Sequence, residues 1–225
     1  MTETEWLGSS DPTAMLAALG DGASHRKLRL FMVACCRRVW HALEDEDYRQ
    51  DAVVVAERFA DGLASADELA GHFGDLTDGN PVHAWDDCVN VTVADFAEFD
   101  AISCAQAEAF ETTIKAYGED YDRKEEVERS EGAAQARLLR CIFGNPFHPV
   151  SFAPAWRTAD VTALAEAAYQ RRRMPAGTLQ RSRLAVLADA VEEAGCTTAA
   201  LLGHLRERGP HVRGCWAIDL ALGRA

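Results

Sequence analysis

The stretch SHRKLRLFMVACCRRVWHAL, Ser24 to Leu43, decides how the chain is read. Its apolar positions Leu28, Phe31, Met32, Cys35, Cys36, Val39, Trp40 and Leu43 recur three and four residues apart. That spacing puts them along one face of an α-helix. Ser24 stands where a capping side chain would start the helix. The acidic run Glu44-Asp45-Glu46-Asp47 then favours a break and a new helix N-terminus, because aligned peptide dipoles attract negative charge there.

Outward from this stretch the same signals repeat. Asp11-Pro12 predicts a cap followed by proline in the first turn, opening a short helix to about Leu19 that Gly20 and Gly22 end. A third helix is expected to about Leu63, and Ser65-Ala66-Asp67-Glu68 is a capping box for a fourth. Gly71 to Pro81 reads as loop. A helical stretch follows from about Val82 to Tyr117, although Val89, Val91 and Val93 alternate as a short strand would. A charged helix is expected from about Asp122 to Phe143. Pro146 and Pro149 exclude helix from the next segment, whose Phe147, Phe152 and Trp156 predict that it packs down. Thr158 is expected to cap a helix to about Arg172, with Met174 to Thr178 a loop. Ser182 starts another helix that Gly195 ends, and Thr197 or Thr198 caps one to about Arg206. A last helix is expected from Pro210 to Leu222, closed by Gly223. No two-residue hairpin signal, strand–helix alternation or fixed-period repeat is present. The expected fold is all-α: an irregular multi-helix bundle of roughly eight to ten helices with a small C-terminal three-helix lobe.

At 225 residues the chain can bury one large core, or a core plus a small lobe. With 48% hydrophobic and 26% charged residues it has the balance of a globular protein. No apolar run approaches the ~18 residues that cross a membrane. The acidic start MTETEWLGSSDP lacks the basic and apolar regions of a signal peptide, so a cytoplasmic location is expected. Seven cysteines without a CxxC pair are then expected to be reduced, most of them as small core residues. The net charge of −13 is uneven: residues 1–136 carry 29 acidic and 11 basic side chains, and residues 137–225 carry 7 and 12. The charge change and the proline-rich segment predict an acidic helical part over 1–143 and a basic helical lobe over 144–225, sharing one continuous core.

Chemically capable side chains concentrate near the C-terminus, in Gly209-Pro210-His211-Val212-Arg213-Gly214-Cys215-Trp216-Ala217-Ile218-Asp219. If Pro210 opens a helix, His211, Cys215 and Asp219 fall four residues apart on one face. His211 at a helix N-terminus would favour the neutral, metal-binding form. His211 and Cys215 are therefore candidate ligands, with zinc the candidate ion. Completing the site would take Cys196, His148, His204 or Asp219. Alternatively, Cys215, Trp216, Ile218 and Leu220 simply pack the core and His211 caps the helix. Cys35 and Cys36 read as core thiols flanked by solvated Arg37 and Arg38, with His41 pointing away from them. His83 and Asp87, beside Asp86, Cys88 and Asp95, could be a base and its orienter but read more simply as a surface ion pair. Asp95, Glu98, Glu108 and Glu111 lack the histidine partners of a carboxylate metal cluster.

Three stretches together resemble one bacterial family. They are Glu5-Trp6-Leu7 with Asp11-Pro12 and Arg26-Lys27-Leu28-Arg29-Leu30-Phe31 leading into Cys35-Cys36-Arg37-Arg38-Val39-Trp40-His41; Phe143-Gly144-Asn145-Pro146-Phe147 with Phe152 and Pro154-Ala155-Trp156-Arg157; and Glu192-Glu193-Ala194-Gly195-Cys196 running through Gly209 to Leu220. The family is marked by CCRR(I/V)WH, FGNPF and GPHVRGCWA(I/L)DL. The resemblance covers both ends of the chain, leaves about residues 72–130 outside it, and implies no particular activity.

Among the common signatures there is no phosphate-binding glycine loop, nucleophile elbow, kinase set or EF-hand loop. The expected function is that of an interaction or regulatory protein without catalysis of its own, with another protein as partner. The alternative is a metal- or thiol-dependent enzyme built near the last helix. A third reading, nucleic-acid binding through Arg171, Arg172, Arg173, Arg181, Arg183, Arg206, Arg208 and Arg213, is disfavoured by the acidic balance and the lack of interleaved aromatics.

Overall fold

Residues 1–20, 23–40, 47–74 and 122–224 are described by a computed structural model, and among them ten α-helices and one β-ribbon form. The chain divides into two compact units, one of Met1 and Gly8–Ala136, the other of Thr2–Leu7 and Arg137–Ala225.

The first unit holds α2 (Pro12–Leu19), α3 (His25–Arg38), α4 (Asp47–Ala60), α5 (Ala66–Gly74) and most of α6 (Asp122–Phe143). Asp11 caps α2, its carboxylate accepting from the Ala14 N–H at 3.0 Å. Ser65 begins the expected capping box by accepting from the Glu68 N–H at 3.1 Å, while the Glu68 carboxylate pairs with Arg58. Helix α5 runs through Gly71 to Gly74, past the expected start of the loop. Helix α3 packs on α4, and α4 on α5, around Val33, Cys36, Val53, Ala56 and Leu69.

Of the two arginines beside the paired cysteines, Arg38 is exposed as the sequence implied, but Arg37 is not. Arg37 is buried and forks onto Glu57, with bonds of 3.2 and 2.9 Å, and its guanidinium lies over the Trp40 ring. Arg38 forks onto Glu131, whose carboxylate holds the guanidinium pKa above its ordinary value. A planar fork paired bidentately satisfies its donors without water, which is what lets arginine enter the core.

The second unit gains a helix the sequence reading missed, α1 (Glu3–Gly8). It starts with a reciprocal capping box: Glu5 accepts from the Thr2 N–H, and Thr2 Oγ1 accepts from the Glu5 N–H. Trp6, fully buried, donates its indole N–H to the Gly144 carbonyl at 2.9 Å, and Arg140 donates to the Trp6 carbonyl at 3.0 Å. This anchors α1 to the C-terminal end of α6.

Thr158 caps α7 (Ala159–Gln170), which packs against α8 (Arg181–Glu193) and α10 (Trp216–Leu222); α9 (Ala199–Arg206) packs against α8 and α10. Between α7 and α8, β1 (Arg172–Arg173) and β2 (Thr178–Leu179) form an antiparallel ribbon where only a loop was expected. Two-residue strands are too short to show alternation. Phe147 is exposed rather than packed down, and stands in a turn where the Asn145 side chain accepts from its N–H. Phe152 and Trp156 do meet, edge to face, and Arg157 donates to the carbonyls of Leu220 and Ala221 at the end of α10.

No helix among the described residues is long and apolar enough to cross a membrane. The expected helix from Val82 to Tyr117, the alternative strand there, His41, the His83–Asp87 pair with Asp86, Cys88 and Asp95, and Glu98, Glu108 and Glu111 lie outside the described residues.

Candidate metal centre

The last helix begins at Trp216, not at Pro210. Val212-Arg213-Gly214-Cys215 is instead a β-turn, closed by the Cys215 N–H donating to the Val212 carbonyl at 3.1 Å. Its third residue, Gly214, has φ 80°, a value glycine supplies without strain. The local preference for proline in a first helical turn therefore yields to the turn chemistry after it. His211 is tied to the ribbon by the Leu179 N–H, which donates to its carbonyl at 2.8 Å. Cys215 becomes the N-cap of α10, its carbonyl accepting from the Asp219 N–H. His211 and Cys215 thus do not share a helix face; the turn folds them toward each other.

Two further side chains reach the same point: Cys141 from the C-terminal end of α6 and His204 from α9. One ligand atom from each of Cys141, His204, His211 and Cys215 lies within 4.8 Å of the other three. His204 Nε2 is 3.3 Å from Cys215 Sγ, and His211 Nδ1 is 4.0 Å from Cys141 Sγ. Tetrahedral zinc with bonds of ~2.3 Å to sulfur and ~2.0–2.1 Å to nitrogen needs its ligand atoms roughly 3.3–3.8 Å apart. Contraction by at most about 1.5 Å fits the donor set to that ion. The donors are those of a Cys2His2 centre, and all four belong to the second unit. Cys141, His211 and Cys215 are buried; His204 is nearly so, its ring between those of His211 and Trp216.

The electrostatics favour a negative sulfur. Burial opposes ionisation of Cys215, yet hydrogen bonds from Cys141, His204 and His211 hold its pKa well below the ordinary thiol value. Its hydrogen bond to Cys215, together with burial, pushes Cys141 well up, so the first thiolate of the pair sits on Cys215. Burial pulls His211 down, but the Cys215 sulfur and Glu207 outweigh it and the net shift is upward. The neutral His211 expected at a helix N-terminus is therefore not what the site favours, since His211 lies outside any helix and faces an anionic sulfur. A bound cation would reverse that balance, because metal ligation requires a free imidazole lone pair.

The other sequence candidates lie elsewhere. Cys196 is buried in the turn after α8, outside the four-residue group. His148 is on the surface and pairs with Glu3 at 2.8 Å. Asp219 is buried one turn beyond Cys215, where its charge acts on Cys141 without joining the group. His204 was among the candidates for a fourth ligand; Cys141 was not, because inside an amphipathic helix nothing separates it from a core thiol.

Gly209 holds the approach to His211. Its φ is 83°, and a Cβ there would sit 2.8 Å from both the His211 backbone nitrogen and ring Cδ2. Gly209→Ala is expected to destabilise the protein by about 1–3 kcal/mol in denaturant unfolding. Gly203→Ala, in α9 with nothing within 4 Å of its Cβ, is expected to be neutral or stabilising.

No family model, curated protein or solved structure matches the chain.

Proposed function

We propose that the protein is a zinc-binding, all-helical interaction or regulatory protein of the cytoplasm, in which the metal shapes the second unit and takes no part in catalysis. The observation that carries this reading is the convergence of Cys141, His204, His211 and Cys215 on one buried point. Four protein ligands around one ion complete its shell, as in structural sites, whereas catalytic zinc keeps a position open for water or substrate. Zinc held there would neutralise the thiolates and cross-link α6, α9 and the turn before α10. The burial of Cys215 weighs in the same direction against a thiol enzyme, since a nucleophilic sulfur must meet its substrate.

Nucleic-acid binding is the weaker reading because two of the arginines it needs are engaged internally. Arg206 bridges Asp189 and Glu192, and Arg213 is buried against Tyr169 with a hydrogen bond to Gln170. The partner is accordingly proposed to be another protein. Metal analysis of the full chain, purified without chelator and dialysed, is expected to find one zinc ion per chain. Trace metal only, with no uptake when zinc is offered under reducing conditions, would overturn the proposal.

A further inference from the structure

Both histidines of the centre turn their outer nitrogens to the same residue. His204 aims Nε2 at Cys215, and its Nδ1 lies 3.8 Å from Glu207 Oε2. His211 aims Nδ1 at Cys141, and its Nε2 donates to the Glu207 carbonyl at 3.3 Å. One residue therefore meets the non-ligating nitrogen of each ring, although the rings come from different segments. We infer that Glu207 is the positioning residue of the metal centre, its carbonyl fixing the His211 tautomer and its carboxylate that of His204. This rests on the metal-centre reading above.

A neutral imidazole carries one N–H, and an acceptor beside one nitrogen holds the proton there and leaves the lone pair on the other. Glu207 acts at both rings because of where it stands. It ends α9, its N–H donating to the His204 carbonyl, and then turns extended with φ −62° and ψ 159°. Its carbonyl thereby leaves the helix pattern and meets His211, while its side chain stays beside His204, three residues back. At 3.8 Å the carboxylate is beyond direct hydrogen-bond length and acts on the His204 N–H through its charge. Such outer partners orient metal-binding histidines and raise their basicity.

The Glu207 side chain is 67% exposed, so replacing it leaves the core intact. The test is competitive titration of cobalt and zinc into full-length wild type, Glu207→Ala and Glu207→Gln. The alanine variant is expected to lose about tenfold or more in metal affinity. The glutamine variant, which keeps an acceptor oxygen but no charge, should fall between. Metal-free melting temperatures of the three should coincide, and thiolate-to-cobalt charge transfer should persist in all. Wild-type affinity in the alanine variant, or an affinity loss matched by a lower metal-free melting temperature, would overturn the inference alone. A wild-type protein that takes up neither metal would overturn the metal-centre reading and this inference with it.

Discussion

Cys215→Ser is expected to abolish the response of the protein's stability to zinc. An ion that binds the folded state stabilises it by about 4 kcal/mol when free metal exceeds Kd a thousandfold. For a 225-residue chain that corresponds to a melting shift of about 8–16 °C between zinc-loaded and chelated wild type. Serine at 215 removes one of two thiolates, so the curves with and without zinc should superimpose. The variant also buries a hydroxyl where the wild type has a fully buried sulfur, which lowers its metal-free stability for reasons unrelated to zinc. Cys196→Ser separates the two effects. Cys196 is equally buried but lies outside the four-residue group, so that variant should melt lower yet keep the full zinc response. Loss of the response in both variants, or in neither, would contradict the assignment of Cys215 as a ligand.

Arg37→Met is expected to be the most destabilising single change in the first unit. The Arg37 and Glu57 side chains are 2% and 4% exposed, so their fork replaces much of what water would otherwise supply. Removing the guanidinium leaves the Glu57 carboxylate buried without its forked partner, at a cost of about 3–5 kcal/mol. Glu57→Leu alone removes the forked acceptor of a buried cation and should cost a similar amount. The double variant replaces both charges with apolar groups of similar reach, and is expected to recover most of the loss. Denaturant unfolding of the four proteins decides it. Additive losses in the double variant would show that the two side chains act independently.

Where local chemistry decides an element, the sequence was a good guide. Asp11-Pro12, Ser65 with Glu68, and Thr158 mark helix starts that the structure uses, through the side-chain caps they were expected to supply. Thr2 and Glu5 carry the same signal for α1, which the sequence analysis does not use. The start of the last helix was misplaced because a rule for one residue, Pro210, was set against a turn that needs Gly214 at positive φ. The buried Arg37 was misjudged because arginine is usually exposed, and only its partner 20 positions away makes burial tolerable. The four-residue cluster was half legible. His211 and Cys215 stood out as ligand types near a glycine-rich turn, and His204 lay within reach along the chain. Cys141 comes from 70 residues before His211, at the end of a long helix, so no spacing rule connects it to the others. Only the packing of the second unit, with Trp6 holding the Gly144 carbonyl just past the end of that helix, brings it to the site.

Two sulfurs and two imidazole nitrogens around one metal ion should be visible in zinc-edge X-ray absorption of the zinc-loaded full chain. Two sulfurs at ~2.3 Å and two nitrogens at ~2.0–2.1 Å are expected, with outer-shell scattering from two imidazoles. A shell of oxygen and nitrogen alone, or of sulfur without imidazole, would contradict that assignment.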